Sequence, residues 1–424
     1  MESIFSKLKL VLADNVLRKR ILMTFAILLL FRLLASVPIP GIDEVRLAQF
    51  FGSNQFFGLL NIFSGGGLAN LSIVMLGVGP YITASIIMQL LTMMSPKLKA
   101  MYQEEGEAGR KKFSQYSRWL SVPLSLLQAF AFIVLLQKQG IVADLTSFSL
   151  IVNVLVVTTG SILLMWMGEL ITEFGIGNGV SLIIFGGIVA ALPREISQII
   201  FTFDQSKLPS YAFFLAVALV IVYAVVYITE AERPIPITYA KRVRGNRVYG
   251  GISTYLPLRL NQAGVIPIIF ALSLLLFPQL ILNLIKGAVS SQSIKDIADT
   301  LLSFVANGWV YAIFYFLLVF VFTYFYTAVT FDPHQIADNL QKNGAFIPGV
   351  RPGPSTSEYI GKVLTRITLV GALFLGFIAV LPLIVQSLTN ITSVAVGGTA
   401  LLIAVSVILD LVKKIDAQVS MREY

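Results

Sequence analysis

The chain has 424 residues, of which 56% are hydrophobic and only 12% charged, with a formal net charge of +9. That balance is too apolar for a soluble globular surface and marks a polytopic membrane protein. The absence of cysteine excludes disulfides and thiolate chemistry, and a single histidine, His334, cannot build a metal site without several carboxylate partners.

Lys7, Lys9 and Arg18-Lys19-Arg20 precede an apolar run at 20–37, as in a signal peptide. No small-residue cleavage site follows, so a retained first span is expected. The next apolar stretch is broken: FFGLLNIFSGGGLANLSIVMLGVGPYITASIIMQLLTMM, residues 56–94. Its first piece, 56–63, is too short to cross about 30 Å of hydrocarbon at about 1.5 Å per residue. It must enter and stop. Gly65, Gly66 and Gly67 allow a sharp turn, and the chain restarts at Leu71 as a run long enough to span. Irregular backbone at membrane depth survives only where protein or an aqueous cavity satisfies its polar groups, so 56–70 reads as a candidate plug. The alternative is a helix lying on the outer surface.

Further spans are expected near 118–137, 150–171, 180–198, 211–229, 261–284, 308–329, 366–386 and 394–412, making ten. The Gly-rich segment 180–198 is interrupted by Pro193, where a helix would be expected to end. An even number puts both termini on one side. Of the 31 Lys and Arg, 24 fall on the terminal side; Arg46, Lys138, Arg194, Lys207, Lys286 and Lys295 fall opposite, and Arg32 lies within the first span. The positive-inside rule then makes both termini cytoplasmic. Division near residue 205 leaves five spans in each half, 1–205 and 206–424. An odd count makes the second half enter from the opposite face, as inverted repeats do.

The spans carry few ionisable groups: Glu169, Glu230 and Asp410 sit at cytoplasmic ends. Ion-coupled transporters bury such groups at the midplane, so a pathway for a bulky or varied solute fits better than a proton relay, although a secondary transporter with inverted repeats is the alternative. Two cytoplasmic loops are longer than a connection needs. Loop 230–260 holds TYAKRVRGNRVYG, where Gly245-Asn246 predicts a hairpin turn in a basic finger able to attract phosphate or acidic protein. Loop 330–366 holds AFIPGVRPGPSTSEYI, with Arg351 between two Pro-Gly pairs in an irregular exposed loop. His334 is read as a solvated loop residue. There is no GxxxxGK[ST] phosphate loop and no placeable Ser-His-Asp triad, so no enzyme is indicated and energy must come from a partner.

The strings FSGGGLANLSIVMLGVGPYITASIIMQLL, EEGEAGRKKFSQYSR, FGIGNGVSLIIFGGIVAALP, YAKRVRGNRVYG, NQAGVIPIIFA, DNLQKNGAFIPGVRPG, TRITLVGALFLGFIAVLP and VGGTALLI resemble the bacterial SecY family over nearly the whole chain. The resemblance implies an all-α polytopic membrane protein of ten transmembrane helices in two inverted, pseudo-symmetric halves of five, with a short re-entrant plug helix. It implies a protein-conducting channel of the bacterial plasma membrane, without cofactor, that releases transmembrane segments laterally into lipid. Implied partners are the small membrane subunits SecE and SecG, the SecA motor ATPase, the ribosome and signal-bearing precursors.

Residue by residue, the family's apolar pore ring corresponds to Ile82, Ile86, Ile184, Ile188, Ile269 and Ile403. The plug and its hinge correspond to Leu59, Leu60, Ile62, Phe63, Gly65, Gly66 and Gly67. Gln89, Gln128 and Asn261 resemble the polar residues of the lateral gate, and Lys241, Arg242, Arg244, Arg247 and Arg351 the ribosome and motor docking loops. Asn246 departs from the family pattern, in which another arginine is often found. From the residues alone, Ile82/Ile86 and Ile184/Ile188 are pairs four apart on one helix face, which ordinary span packing also produces. The three gate amides would equally serve as interhelical glue, and the basic loops as positive-inside anchoring.

Overall fold

The structure is a computed structural model that describes residues 14–39, 61, 64–68, 70–138, 140–142, 146–201, 205, 208–240, 242–244, 247–249, 253–288, 292–389 and 392–423. Each expected span falls on a helix in whole or in part. In chain order these are α1 (Asn15–Ala35), α2 (Gly79–Met94), α3 (Pro96–Gln103), α4 (Gly106–Lys138), α5 (Ser147–Phe174), α6 (Gly179–Phe201) and α7 (Leu208–Glu230). After strands β1 (Glu232–Tyr239), β2 (Arg242–Arg244), β3 (Arg247–Tyr249) and β4 (Ser253–Arg259) come α8 (Ile266–Ala288), α9 (Gln292–Ala306), α10 (Gly308–Thr330) and α11 (Pro333–Lys342). Strand β5 (Ala345–Phe346) then precedes α12 (Pro354–Thr389) and α13 (Thr392–Glu423). Among the described residues five helical stretches, 106–137, 147–174, 211–230, 308–342 and 354–385, are long and apolar enough to cross a membrane, and shorter apolar helices lie at 79–94, 179–193 and 266–275.

Helix starts follow local chemistry. Asp14 caps α1 by accepting from the amides of Val16 and Leu17 at 2.8 and 3.4 Å, Thr146 caps α5, and Asp332 caps α11 ahead of Pro333. Residues 71–78 depart from expectation. They form successive turns rather than helix, and α2 begins only at Gly79, with Pro80 in its first turn. Proline disfavours the helical region for the residue before it and fits the first helical turn, where its missing N–H is not needed. Gly77, at φ 59°, turns the chain just before this point.

The irregular stretch is nonetheless buried, and its polar atoms are satisfied by protein. Ser161 of α5 donates to the Gly77 carbonyl at 2.6 Å, Ser72 Oγ to the Gly67 carbonyl at 2.9 Å, and the amides of Ile39 and Ile73 bond the carbonyls of Leu71 and Val37. This meets the condition for non-helical backbone at membrane depth. Pro193 likewise differs from expectation, since α6 runs through it to Phe201. A proline removes one backbone donor, a loss that a membrane helix can tolerate.

The chain divides into two compact units. The first comprises 1–216, 272–311 and 382–424; in it α2 packs on α4, α4 on α5, α5 on α6, and α6 also touches α1 and α13. Leu17, Ile176 and Val419 close one end of this core. The second unit comprises 217–271 and 312–381. There β1 pairs antiparallel with β4, Glu232 opposite Arg259, and with β5, Tyr239 opposite Ala345. Ile235 and Leu258 from this sheet pack with Ile347, Ile360 and Ile367, and α11 adds Ile336 and Leu340 to the same cluster. The two long loops thus supply a small sheet to an otherwise helical protein.

Candidate functional site

All six isoleucines assigned to the ring are buried. Ile82 and Ile86 lie on α2, Ile184 and Ile188 on α6, Ile269 on α8 and Ile403 on α13. Five belong to the first unit and Ile269 to the second. Within the first unit α6 packs directly on α13, and α5 joins α2 to α6, so three of the four helices that carry these isoleucines share one core. Ile184 and Ile403 are fully enclosed.

Leu59, Leu60, Ile62 and Phe63, the apolar face of the expected plug, lie outside the described residues. Its glycine turn is described. Gly65 and Gly66 have φ of 64° and 83°, a region that favours glycine, and the Gly66 amide closes the turn on the Asn61 carbonyl at 2.9 Å. Ser64 Oγ donates to the Asn61 carbonyl and accepts from the Leu68 amide, both at 2.9 Å. The turn is seated against two helices of the same unit. A Cβ on Gly65 would meet the Phe31 ring of α1, and a Cβ on Gly187 would overlap the Gly65 backbone. Gly187 lies between Ile184 and Ile188 in α6, so the helix that carries two of the isoleucines expected in the ring also carries the seat. The pair Gly186-Gly187 was visible in the sequence as part of a glycine-rich span, but nothing there tied it to residue 65. Arg32, the one cation within the first span, brings Nη1 to within 3.3 Å of a Cβ built on Gly66.

The three gate amides are all partly or wholly buried. Gln89 is on α2 and Gln128 on the adjoining α4, whereas Asn261 precedes α8 in the second unit. Asn261 Nδ2 donates to the Gly264 carbonyl at 3.2 Å. The side-chain oxygens of Gln89 and Asn261 are buried with no hydrogen-bond partner among the described residues. An unmet buried carbonyl costs about 1–3 kcal/mol.

The basic finger forms as a hairpin, with Arg242 opposite Tyr249 and Arg244 opposite Arg247. Lys241 and the expected turn residues Gly245 and Asn246 lie outside the described residues. Arg351 is exposed at the start of α12, and its backbone carbonyl accepts from Thr356 Oγ at 2.9 Å. Neighbouring Val350 packs on the Ile235 cluster, so this cation projects from an anchored platform rather than a slack loop. His334 is the second residue of α11 rather than part of a loop, and its Nδ1 lies 3.0 Å from Ser357 Oγ. The Asp332 cap and Pro333 start that helix, a pattern the sequence reading passed over. The β1–β4 pairing was also missed, although alternation in ERPIPITY and STYLPLR carried the signal.

Residues 72–412 match the SecY family model. The chain belongs to the SecY family. Among curated relatives, the protein translocase subunit SecY of Mycobacterium leprae is 45% identical over 428 residues, covering 96% of each chain. Among solved structures, a SecY translocation channel, described as having a plug domain that stabilises its closed state and maintains a membrane seal, superposes with a TM-score of 0.67 at 20% identity over 97% of this chain and 95% of that one. The channel of the canine ribosome-channel complex from the endoplasmic reticulum gives 0.65 at 18% identity with the same coverage. At those identities the structural likeness establishes the fold, while family membership rests on the near full-length sequence match.

Proposed function

We infer that this family member is a protein-conducting channel, moving unfolded secretory polypeptides across the membrane and releasing apolar segments sideways into lipid. The observation that carries the reading is the near full-length identity to translocase subunits, which favours a channel over a secondary transporter. The buried isoleucines support a closed constriction formed by Ile82, Ile86, Ile184, Ile188, Ile269 and Ile403. A collar of branched alkyl groups excludes ions and water by dewetting and makes no directional bond to a passing peptide, so it can seal around varied side chains.

The plug reading places Leu59, Leu60, Ile62 and Phe63 over that constriction, with Gly65, Gly66 and Gly67 as the hinge. The seat of this turn on α6 supports the reading, since a displacement of residues 56–70 would act on the helix bearing Ile184 and Ile188. Gln89, Gln128 and Asn261 form the lateral gate. Membrane amide contacts contribute only about 0.6 kcal/mol each, so an apolar signal segment can displace them.

Lys241, Arg242, Arg244 and Arg247 dock ribosomal RNA phosphates, and Arg351 engages the SecA motor, which supplies the energy that the chain itself cannot. SecE and SecG complete the membrane complex. The chain sits in the bacterial plasma membrane in two halves, 1–205 and 206–424, with both termini cytoplasmic, as its excess of Lys and Arg on the terminal side supports. Reconstitution with these partners in liposomes, with a signal-bearing precursor, should yield protease-protected product. Saturable uptake of a small solute without protected precursor would overturn the reading.

A further inference from the structure

Helices α9 and α11 are amphipathic and too short to span, and their apolar faces are covered differently. In α11, Ile336 and Leu340 are covered by the second unit's own core. In α9, Ile297, Leu301 and Phe304 stay 60%, 46% and 55% exposed. At about 100° per residue these three side chains fall within an arc of roughly 60°. The polar residues Gln292, Asp296, Asp299, Thr300 and Ser303 occupy another face, where Gln292 Nε2 donates to Asp296 Oδ1 at 3.0 Å. Ala298 is buried on the far side of the apolar arc, so the protein covers one flank of that arc and leaves the other bare.

We propose that α9 lies in the plane of the membrane surface, with Ile297, Leu301 and Phe304 inserted at the boundary between lipid headgroups and acyl chains. The junction to the next helix argues for lipid as the occupant. Asn307 alone separates Ala306 from Gly308, the Tyr311 amide bonds the Asn307 carbonyl at 2.8 Å, and Asn307 Oδ1 accepts from the Trp309 amide at 3.1 Å. Because α10 is apolar enough to cross the membrane, its Gly308 end marks where the chain leaves hydrocarbon, and the end of α9 sits at that level. Trp309, 66% exposed, begins a stripe continued by Ile313, Leu317 and Val321 that faces away from the protein. Tryptophan at a span end is a membrane-interface anchor. The apolar flank of α9 is therefore joined, through Asn307 alone, to a span end marked by an exposed tryptophan. With 15 residues α9 measures about 22 Å, and its two aspartates and Lys295 forbid insertion across the bilayer, which leaves the interface as its place. By the orientation argued above this is the outer leaflet. Helix α9 lies in the connection between α8 and α10, so the membrane surface would hold the connection between two spans.

The absence of native cysteine makes a direct test possible. Single cysteines at Ile297, Leu301, Phe304, Asp299, Ser303 and Ile313 are spin-labelled in the full chain and reconstituted in vesicles of phosphatidylethanolamine and phosphatidylglycerol. Collision with oxygen, which partitions into lipid, is compared with collision with a water-soluble nickel chelate. Labels at 297, 301 and 304 should favour oxygen several-fold over those at 299 and 303. Equal access of nickel chelate at all five positions would overturn the proposal, as would shielding of 297, 301 and 304 from both reagents, which would mean a protein occupant. The label at 313 separates failures: loss of oxygen preference there as well would remove the membrane reading of α10 itself, not only the placement of α9.

Discussion

Gly187 of α6 lies against the backbone of Gly65, with no room for a carbon atom between them. The contact joins the glycine turn of the broken second span to the helix that bears Ile184 and Ile188. Elsewhere in a helix, replacing glycine by alanine gains about 0.5–1 kcal/mol. Here the methyl group must push the turn away. Gly187→Ala is therefore expected to raise the resting ion conductance of the channel in planar bilayers without raising its melting temperature. A more stable protein with unchanged conductance would contradict the seat.

Ring and packing readings of the isoleucines part company on truncation. A tightly packed core isoleucine loses about 2–5 kcal/mol when cut to alanine. A ring residue facing a closed lumen loses less, because the alkyl groups it meets belong to a constriction that must open. Ile86→Ala and Ile188→Ala are expected to raise ion leak severalfold with only a small drop in thermal stability. Severe destabilisation without leak would assign both to ordinary packing.

Gln89 and Asn261 each bury a carbonyl oxygen that no described residue meets. Leucine at Gln89 removes that unmet group, so Gln89→Leu should stabilise the protein by about 1–3 kcal/mol, whereas Asn261→Leu also removes the hydrogen bond to the Gly264 carbonyl and should gain less. The corresponding functional outcome is greater stringency: precursors with weakly apolar signal sequences should translocate less, while strong signals are unaffected. Unchanged discrimination would leave the amides as interhelical contacts only.

Arg351 projects from an anchored platform, and Thr356 holds its carbonyl. Arg351→Glu should abolish motor-driven translocation while leaving the fold and ribosome binding intact. Thr356→Ala, which removes one hydrogen bond worth about 0.5–1.5 kcal/mol, should give a partial defect in the same assay. Precursor transport at normal rates in the glutamate variant would remove Arg351 from the docking surface.

For the basic finger, ribosome affinity measured against salt concentration is the decisive readout. Each phosphate contact contributes about 0.7–0.9 to the slope of log affinity on log salt. Neutralising Arg242, Arg244 and Arg247 together should flatten that slope by up to three such contributions. A slope that does not move would return these residues to simple anchoring of topology.

The positions of the helices were legible in the sequence because spans are selected by mean apolarity over a window, a property that needs no partner. The hairpin was legible for a similar local reason, as strand-forming residues flank Gly245-Asn246. The start of α2 was not. Apolarity is the same for helix and for a buried turn, and what distinguishes 71–78 is Ser161, eighty-four residues away, satisfying the Gly77 carbonyl. The continuation of α6 beyond Pro193 was not legible either, because proline weakens a helix locally without always ending it.

Composition and motif strings therefore determined by themselves that this is a polytopic membrane protein with a broken span, and which family it resembles. These are sums and patterns along the chain. Only the tertiary structure decided that Gly65 rests on Gly187, that Gln89 and Asn261 carry oxygens no described residue meets, that Val350 beside Arg351 is anchored on the Ile235 cluster, and that α9 leaves its apolar flank bare while α11 does not. Each of those facts is a relation between residues distant in sequence. Close packing and hydrogen-bond satisfaction are settled only when the chain has brought its elements together.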